Sequence, residues 1–420
     1  MRVRTIMLIA ALAALQVPAT AQQLPPPKGA AHPNDQAVKA VGVTVEPALD
    51  GMFRAFEKYP VVALGDAHGL AEQMDFYTAV VRDPRFARNV RNLVVEFGAS
   101  SQQQVIDRYL AGETVPYVEL RKVWNDTVGW APPPALVGFA KFFAAVRDLN
   151  KSLRPNRQIK VWLGEPPLDW TAPSRDQIQA AGSARDSYPA TLIRDKILAK
   201  GEKALVIYGA AHFASVPTFL KGQLNATHPG LMFVILPYAP PFQYPGCAAL
   251  LSQVTAIWPQ PALATRSRDE TGGGARECFT LSLPPLEPEP GGSRPGGSGP
   301  RGPVLPRPEP PAIEGDAVLF LGPLEKLAQG PLGPFKMLAQ GRFLPDYLFD
   351  PELRREIKRR SDLGGPPLLA APSDLAIRKA DYAFDLGAPG YREQIEKLFA
   401  TYDRNRDGVI TSDEYHDPLN

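Results

Sequence analysis

The stretch Val61-Val62-Ala63-Leu64-Gly65-Asp66-Ala67-His68 indicates how this 420-residue chain folds, because a short apolar run passes directly into glycine, a carboxylate and a histidine. An apolar run without alternation is typical of a strand that is buried on both faces. Similar runs recur along the chain, at Leu93–Val95, Ile159–Leu163, Ala204–Ile207, Met232–Leu236 and Ala317–Leu321. The repeated pattern predicts a central sheet.

Amphipathic segments of helical length separate these strands. They lie at Glu72–Val81, Ser101–Leu110, Ala135–Leu149, Tyr188–Lys200 and Val216–Asn225. Strands that alternate with helices of this length are typical of a parallel sheet with helices on both faces. We therefore predict an α/β fold with three layers and a mostly parallel sheet.

Composition divides the rest of the chain. Proline and glycine dominate residues 284–312, which we interpret as a long loop inside the domain, although an interdomain linker has the same composition. The α/β domain is predicted to span residues 38–361 and to end in a charged, solvated helix at 351–361. A linker at 362–385 then leads to a small helical module at 386–420.

The N-terminus has the features of a secretory signal peptide at residues 1–21. Arg2 and Arg4 precede the apolar run Ile6–Leu15, and the small residues Ala19 and Ala21 mark a cleavage site. The alternative is an uncleaved anchor, but the run is shorter than the ~20 residues that span a bilayer. We expect a periplasmic or secreted protein with a disordered leader at 22–37 and no stable membrane insertion.

The charge balance argues against nucleic-acid binding. Loss of Arg2 and Arg4 with the signal would reduce the number of lysines and arginines from 46 to 44, equal to the number of aspartates and glutamates. A chain without net positive charge or a basic run lacks the electrostatic footprint of a nucleic-acid-binding protein. Cys247 and Cys278 could form a disulfide in an oxidising compartment, or could be two small buried apolar residues.

Two of the five histidines occur in the same local setting. His68 and His212 each stand three residues after a glycine that follows an apolar strand, and the strand Leu93–Val95 passes directly into Glu96. Because ligands of open α/β sheets bind at the carboxyl ends of the strands, these side chains are predicted to converge at one edge.

Such a group has two possible chemical uses. His68, Glu96 and His212 could ligate a divalent metal with an open water position. Alternatively, a histidine held by a carboxylate such as Asp66 could act directly as a general base on water. Arg194 or Arg175 could then stabilise developing negative charge. Ordinary capping or core histidines remain a third interpretation.

A second pattern lies at residues 403–414, where oxygen-bearing residues have the spacing of a calcium loop. Side-chain oxygens are expected from Asp403, Asn405, Asp407, Thr411 and the bidentate Glu414, while Val409 contributes its backbone carbonyl and Gly408 permits the turn. Ile395, Leu398 and Phe399 at helical spacing predict an entering helix. The loop resembles an EF-hand, but little chain remains for an exiting helix and no second calcium loop is present. We therefore expect weak binding, with a dissociation constant of roughly 10⁻⁴–10⁻³ M.

The two glycine-histidine motifs with a strand-terminal Glu96 between them resemble the superfamily of erythromycin esterases, ChaN-like haem-uptake proteins and Tiki/TraB proteins. Residues Val95–Gly98 and Asp107–Gly112 are similar to the esterase pattern, and Leu319–Pro323 resembles the closing strand of that family. The resemblance covers roughly residues 45–330 and implies a three-layer α/β domain. It also implies catalytic roles for His68, Asp66 and Glu96, with His212 as the counterpart in the Tiki-like branch.

These observations lead to a hypothesis of an exported calcium-binding protein with a hydrolase domain that acts on a small-molecule or peptide substrate. One rival hypothesis is a non-enzymatic binding protein that takes haem, a metal or a small ligand at the same edge. Another is an envelope module that only binds calcium.

Overall fold

The computed structural model of the protein describes residues 43–68, 70–129, 137–239, 261–266, 279–281, 312–323, 327, 350–366, 368 and 375–417. Within them the strands are β1 (Val43–Pro47), β2 (Val61–Asp66), β3 (Asn92–Ala99), β4 (Lys160–Glu165), β5 (Ala204–Gly209), β6 (Met232–Tyr238), β7 (Ala262–Arg266), β8 (Thr280–Leu281), β9 (Ile313–Glu314), β10 (Ala317–Phe320), β11 (Ala376–Arg378) and β12 (Val409–Thr411).

Eight of these strands form one sheet, in the order β1-β7-β10-β6-β2-β5-β3-β4. β2 pairs in parallel with β5 and β6, while β3 pairs in parallel with β4 and β5. β10 is parallel to β6, and only β7 runs against its neighbours β1 and β10. The prediction of a mostly parallel sheet is confirmed, and the strand at Ala317–Phe320 does return to it after the proline-rich segment.

Helices cover both faces of the sheet. The α-helices of the described residues are α1 (Ala48–Lys58), α2 (Ala71–Arg82), α3 (Pro84–Asn89), α4 (Gln103–Leu110), α5 (Tyr117–Leu120), α6 (Lys122–Asn125), α7 (Val137–Ser152), α8 (Arg175–Ser183), α9 (Ser187–Leu192), α10 (Leu220–Thr227), α11 (Pro351–Asp362) and α12 (Tyr391–Tyr402). The segment predicted as one helix at Tyr188–Lys200 changes form, because α9 continues as a π-helix at Ile193–Ile197 and a 3₁₀ turn at Leu198–Lys200.

Alternating side chains of the strands divide the core into two layers. Val62 and Leu64 of β2 pack into a cluster that includes Tyr77 of α2 and Phe142 of α7. Val61 and Ala63, which point to the other face, join a cluster with Ile193 and with Leu220 of α10. This arrangement confirms the predicted three-layer α/β fold.

The C-terminal residues form a further small core. α11 is the predicted charged helix, but one face of it is buried, including Arg354 and Arg360, so the expectation of a solvated helix is wrong for that face. Residues 362–385, predicted as a linker, contain β11, which pairs antiparallel with β12 so that Ile377 faces Ile410. Leu398 and Phe399 of α12 pack against both.

Several predicted features lie outside the described residues. These are the signal peptide and leader, both cysteines, and all but the last residue of the loop at 284–312. Among the helices that the structure describes, none is long and apolar enough to cross a membrane.

Candidate functional site

The three adjacent strands β2, β5 and β3 end at the same edge of the sheet. Asp66 is the last residue of β2, and Gly209 is the last residue of β5. His68 and His212 follow these strands within three residues. The prediction that Glu96 ends its strand is wrong, because Glu96 is the fifth residue of β3 and the strand continues to Ala99. Parallel pairing therefore brings the predicted residues to one place, at the carboxyl edge where α/β proteins bind ligands.

Asp66 orients His68. Its Oδ2 lies 3.0 Å from Nδ1 of the imidazole, and its Oδ1 accepts a hydrogen bond from the Tyr77 hydroxyl at 3.0 Å. His68 has a φ of 52°, a left-handed conformation that is uncommon for a residue with a side chain. Gln73 supports this turn, because its amide donates to the Gly65 carbonyl and accepts from the Ala67 N–H. A sterically costly conformation held in this way is typical of functional sites.

Gly209 allows the second nitrogen of His68 to approach the end of β5. A Cβ atom at position 209 would lie 2.7 Å from Nε2 of His68 and 3.3 Å from Oε2 of Glu96. Any side chain here would therefore occupy the space between the imidazole and the carboxylate. Nε2 of His68 has no hydrogen bond within the described part of the chain, so it is the nitrogen available for chemistry.

Glu96 is displaced from the regular ladder by a shift in register. Val95 pairs with Leu163 and Ala99 with Glu165, so β3 contains two more residues than β4 over this interval. Such bulges re-aim side chains beside functional sites. Glu96 Oε2 accepts the Gly209 N–H at 2.5 Å, and Oε1 lies 3.3 Å from Nε2 of His212.

His212 is held by a second aspartate. Its Nδ1 lies 2.6 Å from Oδ1 of Asp186, which also accepts the N–H of Leu220 at the start of α10. His212 is therefore bound to a carboxylate through each nitrogen. The site contains two histidine–aspartate pairs, and both histidines lie close to Glu96.

Arg185, Asp186 and Glu165 were not among the site residues predicted from the sequence. Arg185 donates from Nη2 to Glu96 at 2.6 Å and from Nε to Glu165 at 2.7 Å. Glu165 is the last residue of β4, and an apolar run that leads into a glutamate, as it does at Glu96, could have identified it from the sequence. Arg185 and Asp186 lie in the turn between α8 and α9, where no local pattern marks them.

The predicted arginines lie elsewhere. Arg194 pairs with its neighbour Asp195 on the surface, and Arg175 donates to the carbonyl of Asp362. Arg185 therefore has the position beside the carboxylates that was predicted for Arg194 or Arg175. The reason is that the π-helix at Ile193–Ile197 buries Ile193 and Ile197 and leaves Arg194 facing solvent.

Burial and charge determine the protonation states of the site. Burial alone would raise the pKa of Glu96, but the charge and hydrogen bond of His212, together with His68 and Arg185, lower it well below its usual value. Burial would lower the pKa of His212, but the charge of Glu96 and the bond to Asp186 raise it to about 10. The pKa of His68 is also raised, because its bond to Asp66 and the charge of Glu96 outweigh burial. At neutral pH, Glu96 is therefore an anion and His212 a cation.

The polar groups are arranged in two levels. The side chains of His68, His212 and Arg185 are 17%, 13% and 18% exposed, whereas those of Glu96 and Glu165 are 2% and 0% exposed. A ligand at this edge would meet nitrogen-bearing groups, with carboxylates beneath them. Such groups can accept a proton from water and stabilise negative charge on an oxygen.

These residues do not fit the divalent metal considered from the sequence. Arg185 already neutralises Glu96, and Asp186 and Glu96 bind both nitrogens of His212. We therefore assign no step at the His68/Glu96/His212 site to a metal.

The predicted calcium loop begins at the end of α12. Oδ2 of Asp403 accepts the Gly408 N–H, and Gly408 has a φ of 82°, as a tight turn requires. Oδ1 of Asp403 is buried and has no hydrogen-bond partner among the described residues. Glu414 folds back over the loop, where Oε1 accepts the N–H groups of Arg404 and Asn405.

The remaining predicted ligands are near the surface. Asn405 Oδ1 accepts the Asp407 N–H, and Asp407 Oδ1 accepts the Val409 N–H. Thr411 donates both its N–H and its hydroxyl to Oε2 of Glu414. The loop is thus closed by its own polar groups, and the pairing of β12 with β11 supports it from one side.

Comparison with known proteins gives no family. No family model matches the chain, and no curated protein matches it.

Solved structures show distant similarity. The type III effector HopBA1 is 17% identical over 47% of this chain and 87% of its own, with a TM-score of 0.30. The C-terminal region of Pasteurella multocida toxin is 12% identical over 46% of this chain and 24% of that chain, with a TM-score of 0.31. A Bacillus cereus protein is 11% identical over 50% of this chain and 76% of its own, with a TM-score of 0.32. Similarities of this extent carry no conclusion about function.

Proposed function

We propose that the protein is a hydrolase in which His68, oriented by Asp66, activates water for attack on an ester or related acyl bond of a small-molecule or peptide substrate. The observation that carries the proposal is the pair of histidines at the carboxyl edge. Each is held by an aspartate, both lie close to Glu96, and Nε2 of His68 remains available. The resemblance of residues 95–112 to erythromycin esterases points to the same class of reaction.

The proposed reaction needs only groups of this chain. Nε2 of His68 takes a proton from water while the oxygen forms a bond to the acyl carbon. Asp66 stabilises the imidazolium through Nδ1. The positive charges of His212 and Arg185 stabilise the oxyanion of the tetrahedral intermediate. When the carbon–oxygen bond breaks, His68 returns its proton to the leaving alcohol, so the catalyst is regenerated.

A panel of acyl esters and peptides tests this proposal. His68→Ala should reduce turnover by about 100-fold or more, because general base catalysis typically contributes 10²–10⁴-fold. His228→Ala is the matched control, since His228 is an exposed histidine whose ring bonds to its neighbour Thr227. Equal turnover in His68→Ala and the wild type would contradict the proposal. An inactive wild type that nevertheless binds haem, a metal or a small ligand at this edge would favour the rival binding protein.

We also propose that residues 403–414 bind one calcium ion. Asp403, Asn405, Asp407, Thr411 and Glu414 would supply side-chain oxygens and Val409 its carbonyl, a donor set that suits a hard cation. The buried Oδ1 of Asp403, which has no partner among the described residues, supports this, because a buried polar atom without a partner is costly. Glu414→Ala should weaken calcium uptake in calorimetry, and unchanged uptake would contradict the proposal.

Export to the periplasm or the medium is part of the same proposal and rests on the sequence of residues 1–21. The mature chain is expected to begin at Gln22. Mass spectrometry of the N-terminus tests this, and an intact Met1 in the envelope fraction would contradict it.

A further inference from the structure

The guanidinium of Arg185 lies in a narrow slot, and one side of this slot is the backbone of Gly129. A Cβ atom at Gly129 would lie 2.2 Å from Cζ and 2.4 Å from Nε of Arg185. Such distances are far shorter than van der Waals contact, so only glycine leaves room for the guanidinium. Gly129 has no unusual backbone conformation that would itself require glycine. The close approach of the guanidinium is therefore the feature that restricts this position.

Glu165 forms a second side of the slot, next to Gly129. This carboxylate is fully buried and uses both oxygens, since Oε1 accepts Nε of Arg185 at 2.7 Å and Oε2 accepts the N–H groups of Val128 and Gly129. Glu165 therefore joins the turn containing Gly129 to the arginine. A buried carboxylate with this many donors has a fixed orientation, because leaving either oxygen without a hydrogen bond would cost free energy.

We propose that Gly129 and Glu165 form a slot that positions Arg185, and that Arg185 in turn positions Glu96 between the two histidines. Arg185 donates to Oε1 of Glu96, the same oxygen that lies near His212, while Oε2 accepts the N–H of Gly209. Displacement of the guanidinium would remove one of the two short hydrogen bonds that fix Glu96, so the carboxylate would shift relative to the two histidines. This inference rests on the proposed function for its catalytic consequence, but the positioning can be measured without a substrate.

Gly129→Ala tests the slot without changing any charge. The added methyl group would meet the far end of a flexible side chain, so the guanidinium should swing away while the backbone remains in place. Gly182→Ala is the matched control, because Gly182 lies in α8, where an added methyl group would have no described atom within 4 Å. Glu165→Gln is a second variant, for the case that Gly129→Ala does not fold. It keeps the size of the side chain but removes the negative charge that faces Arg185 and replaces one acceptor oxygen with a donor.

Two resonances in a ¹H–¹⁵N spectrum report the positions directly. They are the Nε–H of Arg185, assigned by its loss in Arg185→Lys, and the N–H of Gly209, which donates to Glu96 at 2.5 Å. Both signals should move in Gly129→Ala and in Glu165→Gln, and neither should move in Gly182→Ala. A folded Gly129→Ala or Glu165→Gln protein with both signals unchanged would overturn the slot.

Kinetics then test the consequence. On any ester that the wild type hydrolyses, Gly129→Ala should lower kcat by about 100-fold with little change in KM, as expected when a misplacement of about 1 Å disturbs a catalytic arrangement. Shifted resonances with an unchanged kcat would overturn the positioning role. If the wild type hydrolyses no ester, the proposed reaction fails, whereas the spectra still decide whether the slot positions Arg185 and Glu96.

Discussion

At the scale of single residues, the site is a set of charges that determine one another's protonation. Glu96 is buried yet ionised because it accepts the Gly209 N–H and lies beside His212 and Arg185. His212 is charged because carboxylates lie at both of its nitrogens. Removing one member therefore leaves an uncompensated charge on another, which is more costly than losing the contact itself. His68 differs from His212, since its Nε2 has no hydrogen bond among the described residues and can bond to a ligand or water.

The His212 charge should make stability depend on pH. Its pKa is raised from 6.5 to about 10 in the folded chain, so its stabilising contribution is complete below pH ~6.5 and is lost as the pH rises toward ~10. Near pH 6 we expect the unfolding free energy of the wild type to exceed that of His212→Gln by a few kcal/mol. The upper limit follows from the shift in pKa, since each pKa unit corresponds to about 1.4 kcal/mol. Urea denaturation of both proteins across this range measures the difference, which should shrink with pH. A constant difference would contradict the assigned charge.

At the scale of secondary structure, the site depends on how three strands end. β2 and β5 finish in register, with Asp66 opposite Gly209, and this brings the two histidine turns side by side. β3 reaches the same edge with two extra residues, and these direct Glu96 toward the end of β5. The absence of a side chain at Gly209 completes the arrangement, because it leaves the space that His68 and Glu96 share.

Gly209→Ala should therefore damage the site while preserving the sheet. The methyl group would lie 2.7 Å from Nε2 of His68, and an imidazole on a short turn can move more easily than a central strand. We expect a loss of about 100-fold in turnover, with a melting temperature close to that of Gly182→Ala, the exposed glycine control. A fully active Gly209→Ala enzyme would show that catalysis does not require Nε2 of His68 to lie beside the end of β5.

The strand ends were predictable because their signals are local in the sequence. An apolar run followed by glycine and a polar residue occurs at Asp66, and an apolar run ends in Gly209, so parallel pairing then places His68 and His212 together. The partners of these residues were not predictable in the same way. Arg185 and Asp186 lie in an ordinary polar turn, and their roles depend on the crossing of α8 and α9 over the sheet. The register shift that re-aims Glu96 has one signal in the sequence, the glycine at position 98 inside β3, but a glycine alone does not say where a side chain will point.

At the scale of the whole molecule, the C-terminal residues share a core with the α/β domain. Leu386, Ala388 and Tyr391 belong to the same apolar cluster as the helices on one face of the sheet. Arg360 of α11 donates to Asp126 at 2.9 Å in a buried contact. The C-terminal residues therefore cannot unfold without exposing part of the core of the α/β domain. The composition of residues 362–385, which predicted a linker, gave no sign of this shared core.

The calcium loop is attached to the same structure at its end. Asp417, three residues after Glu414, pairs with Arg354 of α11, whose side chain is almost fully buried. Tyr402 at the end of α12 and Ile410 of β12 lie in the small core with Ile357. An ion that orders the loop would therefore stabilise contacts that extend to α11 and, through Arg360, to Asp126 beside the turn that contains Gly129.

Calcium should consequently stabilise the entire chain and not only its last residues. With a dissociation constant near 10⁻⁴ M, about 10 mM calcium would contribute about 2.7 kcal/mol to the folded state. We expect a single thermal transition that rises by several degrees when calcium replaces a chelator, since ~1 kcal/mol shifts the transition of a large domain by ~2–4 °C. Differential scanning calorimetry measures this, with magnesium and Glu414→Ala as controls that should show little or no rise. Two separate transitions, of which only the smaller responds to calcium, would contradict this prediction. The loop would then unfold independently of the α/β domain, and the contacts of Arg354 and Arg360 would not couple the loop to the domain.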